Sequence, residues 1–249
     1  MAEFGNRDFS QARSTAARTA AHEIDEGLRS YMLKVYNYMA LGVAFTAVVT
    51  MFIASNPNLM ATIALGPMKW VLFIGIIGLG FLAPRIIFSG NAMLAQVCYW
   101  TYAAMWGALI SPMIAFTFAT NGGGMVVKAL LITSVTFGAT SLYGYVTKRD
   151  LSPLGTFFMM ATIGLIVAMV VNAIFFQDVG MSLIVSCLVV LVFAGLTAYE
   201  TQMIKEMYVS NDGQAVVQQK AILGAFLLYG SFVTMFIHIL NILNIMSGD

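Results

Sequence analysis

Leu154-Gly-Thr-Phe-Phe-Met-Met-Ala-Thr-Ile-Gly-Leu-Ile-Val-Ala-Met-Val-Val-Asn-Ala-Ile-Phe-Phe176 contains no charged side chain. A helix of about 20 apolar residues crosses a hydrocarbon core of about 30 Å. In lipid, a helix satisfies every backbone donor and acceptor within its own segment. The stretch therefore reads as a transmembrane helix. Ser152 and Pro153 stand at its start. Serine is a good N-cap, and proline fits the first helical position, where its missing N–H costs nothing.

The same reading extends to six further runs: Val35–Ser55, Met68–Pro84, Leu94–Ala119, Val126–Val146, Met181–Tyr199 and Ile222–Met246. The expected fold is an all-α membrane protein, a bundle of seven transmembrane helices over residues 35–246. Composition agrees. The chain of 249 residues is 60% hydrophobic and 9% charged, with a mean hydropathy of +0.86. A soluble domain carries about 25% charged residues. A net charge of +1 leaves no basic stripe for nucleic acid. Cys98 and Cys187 lie in apolar runs without metal-type spacing and read as small packing residues.

Residues 1–34 read as a cytoplasmic tail, flexible over about the first 25 residues, with His22–Lys34 able to form an interfacial helix leading into the first span. Their arginines and the late start of the first apolar run argue against a cleaved signal. With a cytoplasmic N-terminus, all twelve Lys and Arg except Lys69 and Lys128 fall on the inner side, as the positive-inside rule requires. Seven spans put the C-terminus outside; six spans and a re-entrant segment would put it inside. Asn121-Gly-Gly-Gly124 and Thr147–Pro153 are short connections, and Thr201–Ala221 is the one long polar interior loop. Gly75, Gly78 and Gly80 suit close helix packing. Pro112, after Ser111, removes a backbone hydrogen bond from the third run and suits a packing kink.

No H-E-x-x-H, G-x-S-x-G or P-loop is present, and no nucleophile has a base at motif spacing. The chain reads as a non-enzyme with no cofactor. The candidate residues are instead polar groups within membrane segments, which are costly there and often functional. Glu200 closes the sixth run in Ala198-Tyr-Glu-Thr-Gln202. It reads either as a solvated helix end or as a buried carboxylate that binds a proton or a cation; burial and a nearby arginine act on such a group in opposite senses. Arg85 follows Pro84 at the same membrane depth and reads as an interfacial anchor or as the ion-pair partner of Glu200. Gly230, Ser231, Thr234 and His238 give the last run a partly polar face, with Asn241 and Asn244 beyond. That face reads as interhelical hydrogen bonding and suggests shielding from lipid.

Four blocks resemble the Bax inhibitor-1 family, also called the transmembrane Bax inhibitor motif family, in its bacterial branch. They are Phe137-Gly-Ala-Thr-Ser-Leu-Tyr-Gly-Tyr-Val-Thr-Lys-Arg-Asp-Leu-Ser152, Gly107-Ala-Leu-Ile-Ser-Pro112, Tyr199-Glu-Thr-Gln202 and Ile222-Leu-Gly-Ala-Phe-Leu-Leu-Tyr229. The resemblance runs from about Tyr36 to Ile245. It implies a last helix enclosed by the other six and a multi-pass protein of the bacterial inner membrane. It also implies a pH-gated cation leak, mainly for calcium as the transported ion, through two membrane-embedded aspartates. It further implies that an arginine of the second helix can pair with the first of them in the closed state. Some bacterial relatives are associated with a membrane protease, so the alternative is a non-conducting regulator that binds a protease or another membrane protein. The first aspartate position matches Glu200. The second falls on Ser231, in Leu228-Tyr-Gly-Ser-Phe-Val233. Arg85 is a plausible match for the arginine, His238 matches a histidine of some relatives, and a basic residue usual near the end of the last helix falls at Asn241. One carboxylate beside a serine lacks the coupling of a pair and offers one charge to a divalent cation. The expectation is weaker calcium binding near Glu200 and a shifted or shallower pH response than in two-aspartate members.

Overall fold

The computed structural model describes residues 4–248, with side chains from Glu26 onward. The flexible tail expected over residues 1–25 lies outside the fully described residues. Eight α-helices follow in chain order: α1 (Phe4–Ala54), α2 (Pro57–Ala64), α3 (Met68–Ile87), α4 (Ala92–Thr120), α5 (Gly123–Val146), α6 (Ser152–Val171), α7 (Val179–Glu206) and α8 (Gln214–Ser247). A π-helical turn, Asn172–Phe176, extends α6. No strand occurs among the described residues. Seven helices are long and apolar enough to cross a membrane, namely α1 from Glu26 and then α3 to α8.

Polar and conformationally special residues sit where the helices start and stop. The Asn56 and Asn91 side chains cap α2 and α4 by accepting backbone N–H bonds. Gly122, at φ 75°, turns the chain between α4 and α5. The start of α6 differs from expectation. Ser152 is already helical, the cap position is Leu151 and no side chain caps it. Asp150 instead accepts from the Ser152 backbone N–H at 2.9 Å, and its bonds to Ser152 hold the exposed carboxyl below its usual range. Two boundaries move as well. The short helix α2 fills part of the first connection. The expected loop Thr201–Ala221 shrinks to Met207–Gly213, because α7 and α8 both extend well past their apolar runs. Lys220 holds that loop down by donating to the Met207 carbonyl at 2.7 Å and pairing with Asp212.

α8 occupies the centre. In its most apolar stretch 72% of residues are buried, against 0% for α6 and at most 33% for the other spans. Its residues Ile222, Leu228, Tyr229, Met235 and Leu240 have no measurable exposure. Around it, polar side chains tie helix to helix, as short polar groups do inside a bilayer. Thr50 of α1 donates to the Gly107 carbonyl of α4 at 3.0 Å. Thr46 bonds both the Tyr229 hydroxyl of α8 and the Ala103 carbonyl of α4. Pro112 lies within α4 without ending it. The carbonyl it cannot serve, that of Ala108, instead accepts from Ser111 Oγ at 2.8 Å.

Close helix approach occurs at glycines other than those expected. Gly78 and Gly80 have open space where a Cβ would stand, and at Gly75 only the flexible end of Met105 intrudes. At Gly107 and Gly144 the backbone of another helix comes close. A Cβ on Gly107 would come within 2.9 Å of the Thr46 carbonyl, and one on Gly144 would overlap the Ala198 backbone of α7. Gly144→Ala should therefore cost about 1–3 kcal/mol through overpacking, read as a lower thermal unfolding midpoint in detergent. Gly78→Ala should leave the midpoint unchanged or raise it; equal effects of the two substitutions would refute this account of the α5–α7 contact.

Candidate functional site

The last two turns of α7 place three consecutive side chains on three different neighbours. Glu200 faces α8, where Ser231 Oγ donates to its Oε2 at 2.7 Å. Thr201 faces α5, where its hydroxyl bonds that of Ser141 at 3.0 Å; Ser141 in turn bonds the Tyr36 hydroxyl of α1 at 2.7 Å. Gln202 faces the α5–α6 connection. Its Oε1 accepts from the Leu151 backbone N–H and its Nε2 donates to the Arg149 carbonyl, both at 2.8 Å. Successive helical residues point about 100° apart, so this divergence follows from the helix itself. Lys205 ends the set by donating to the Tyr145 carbonyl at 2.9 Å, which satisfies an orphan acceptor at the end of α5.

Glu200 is 7% exposed and Ser231 2%. The carboxylate thus lies inside the bundle and not in solvent, which was one of its two sequence readings. Tyr102 of α4 is buried within electrostatic range of it and stacks on Phe226 of α8 at 4.0 Å between ring centroids. Arg85 is exposed at the end of α3, and among the described residues it forms no ion pair with Glu200. In this conformation the serine, not the arginine, meets the carboxylate.

His238 and Asn241 lie further along α8. His238 Nδ1 and the Ser186 hydroxyl of α7 are 3.0 Å apart. Asn241 Nδ2 donates to Ser182 Oγ at 3.0 Å and Ser186 Oγ at 2.9 Å. Asn244 donates to Thr117 Oγ1 of α4 at 2.8 Å and accepts from Asn121 at 3.2 Å. These bonds are the interhelical contacts read from the polar face. Ser231 and His238 share that face but serve different clusters, separated by two helical turns. Cys98 is buried as expected, whereas Cys187 is exposed on the outer surface of α7.

Sequence reasoning missed Tyr36, Ser141 and Tyr102 and left Thr201 and Gln202 without roles. Tyr36 and Thr201 are 165 positions apart in number and meet at Ser141, so no spacing could connect them. Thr201 and Gln202 do carry a signal. They are uncharged polar residues near the end of a largely apolar helix, directly beside Glu200.

Similarity to known proteins bears on this geometry. The family model for the inhibitor of apoptosis-promoting Bax1 matches residues 28–248, which takes in every side chain described above. Protein RP147 of Rickettsia prowazekii is 36% identical over 239 residues, covering 95% of this chain and 97% of the relative. A protein of Deinococcus radiodurans is 35% identical, with coverage of 92% and 95%. The inner membrane protein YbhL of Escherichia coli is 32% identical over 220 residues, with coverage of 87% and 92%. A multi-pass helical bundle with these matches, along nearly its whole length, belongs to the Bax inhibitor-1 family.

Proposed function

We propose that this protein is a pH-sensitive cation leak of the bacterial inner membrane, with its N-terminus in the cytoplasm and Glu200 as the titrating group. The observation that carries the reading is the buried Glu200–Ser231 contact between α7 and the central helix α8. An uncompensated charge inside a bundle is costly, so a carboxyl there is neutralised by a proton or by a cation. Either event changes what holds α7 against α8. Calcium prefers six to eight oxygen ligands that include carboxylates, and Glu200 with Ser231 offers one carboxylate and one hydroxyl. The reading is thus a weakly selective leak, with calcium as one cargo among cations. Arg85 keeps a role only in another conformation, in which α3 brings it to the carboxylate.

A second reading is a non-conducting membrane regulator that binds a membrane protease or another membrane protein. The observation favouring it is Ser231 itself, which leaves the site with a single acid. A stoichiometric membrane partner in affinity purification, together with no flux in vesicles, would decide for this reading.

Flux into reconstituted vesicles tests the leak. A charge-assisted contact contributes about 1.5–3 kcal/mol, so Glu200→Gln should change cation flux by about tenfold or more and flatten its pH profile. A strong leak, steep near neutral pH and indifferent to Glu200→Gln, would sink the proposal. Ser231→Asp adds the second acid and should steepen the pH response and raise the preference for calcium over potassium. An unchanged calcium-to-potassium ratio would show that the pair of positions does not set selectivity.

A further inference from the structure

A second compartment, with apolar walls from Met113, Met169, Val185 and Ile237 and a band of polar side chains, lies at the other end of the bundle. It is a cavity of about 530 Å³ between α4, α6, α7 and α8. Water occupies about 30 Å³ per molecule, so the cavity holds on the order of ten waters. Its polar lining comes from Asn172, Gln177, Asp178, Ser182, His238 and Asn241. These side chains supply amide, hydroxyl and carboxylate oxygens. No lysine or arginine lines it, and Asp178 is its one acid.

The mouth is a built structure. After the π-helical turn, Gln177 takes a left-handed conformation at φ 50°, which a non-glycine residue adopts only where its surroundings hold it. Asn172 provides that hold. Its Nδ2 donates to the Asp178 carbonyl, and its Oδ1 accepts from the Asp178 N–H, both at 3.1 Å. Asp178 is exposed and uses Oδ1 to cap α7 at Met181. The floor is the Ser186 hydroxyl, shared by His238 and Asn241.

Beyond the floor, apolar side chains of α7 follow, with Thr234 of α8 at their level. Val189 is fully buried, Val190 packs on the cluster of Ile110, Phe236, Ile239 and Leu240, and Phe193 packs on the main core. Ser231 and Glu200 stand on the far side of this layer. His238 is seven residues from Ser231 along α8, about 10 Å at 1.5 Å per residue.

We infer that this cavity is the outer vestibule of the cation path: a water-filled compartment that gathers hydrated cations in front of an apolar barrier, with Glu200 behind it. The inference rests on the cation-leak reading and on the orientation with the N-terminus inside. Hydrophobic constrictions close such paths by excluding water, and a cleft lined by charge of one sign concentrates counter-ions. The lack of any basic side chain argues against a lipid phosphate as the occupant.

The test uses thiol chemistry on the full-length protein with Cys98 and Cys187 replaced by alanine. Ser182→Cys on α7 and Ala173→Cys on the π-helical turn after α6 place a thiol on opposite walls; Leu188→Cys, exposed on the outer surface of α7, is the control. Impermeant methanethiosulfonates, one bearing trimethylammonium and one bearing sulfonate, are applied to the outer face of spheroplasts, and rates are normalised to a free thiol. Both wall thiols should react, and the cationic reagent should be favoured about tenfold. Asp178→Asn should remove most of that preference while leaving α7 capped, because asparagine caps as well as aspartate. Attached trimethylammonium should depress cation flux several-fold. Equal rates for the two reagents, wall thiols no more reactive than Leu188→Cys, or reaction from the cytoplasmic face only would overturn the inference. Labelling needs no flux, so the two readings fail separately. An unmodified protein that carries no cation sinks the leak, and the rates still decide whether the compartment admits cations. Flux that persists unchanged after labelling sinks the vestibule alone.

Discussion

Ser231, His238, Asn241 and Asn244 lie within one transmembrane helix, and hydrocarbon offers none of them a hydrogen-bond partner. A hydroxyl or amide transferred without a partner to an apolar medium costs several kcal/mol. The helix that carries them is therefore driven to the centre, where every one finds a partner on α4 or α7. Once α8 is enclosed, the remaining spans have their positions assigned as its wall. α6 then lies at the periphery, where no residue of its most apolar stretch is fully buried.

Lipid is as apolar as leucine, so hydrophobic burial does little to hold such a wall together. The wall holds through close backbone approach and short polar bridges. Gly107 lets α4 seat against α1, and Thr46 and Thr50 bond across that contact. Gly144 lets α5 seat against α7, and Ser141 joins Tyr36 to Thr201 near the same level. Each bridge needs its glycine, because a threonine or serine hydroxyl reaches a neighbouring helix only when the two backbones lie close together.

The end of α7 concentrates these constraints. Glu200 reaches the centre, Thr201 the wall and Gln202 the α5–α6 connection, so one helical turn couples the carboxylate to three elements. A change in the charge of Glu200 alters the one contact of the three that is charge-dependent. The other two, Thr201 to Ser141 and Gln202 to the connection, hold α7 in place meanwhile. Val189, Val190 and Phe193 then lie along α7 between this site and the cavity at the opposite end.

The number of spans and their approximate limits were legible in the chain, because long apolar runs with almost no charge are stable as helices across lipid. The polar face of the last run also told of enclosure, since unpaired amides and hydroxyls do not face hydrocarbon. Helix ends were less legible. α7 and α8 run on past their apolar stretches because hydrogen bonding, not hydropathy, decides where a helix stops, and Lys220 fixes the loop from within α8. Which glycines mattered was invisible, since a missing Cβ counts only where another backbone comes close; Gly78 and Gly144 look alike in sequence and differ in what lies opposite. The partner of Glu200 was likewise open between Arg85 and Ser231. Both choices are chemically sound, and the crossing of α7 with α8, set by packing along their whole length, brought the serine to the carboxylate and left the arginine at the surface.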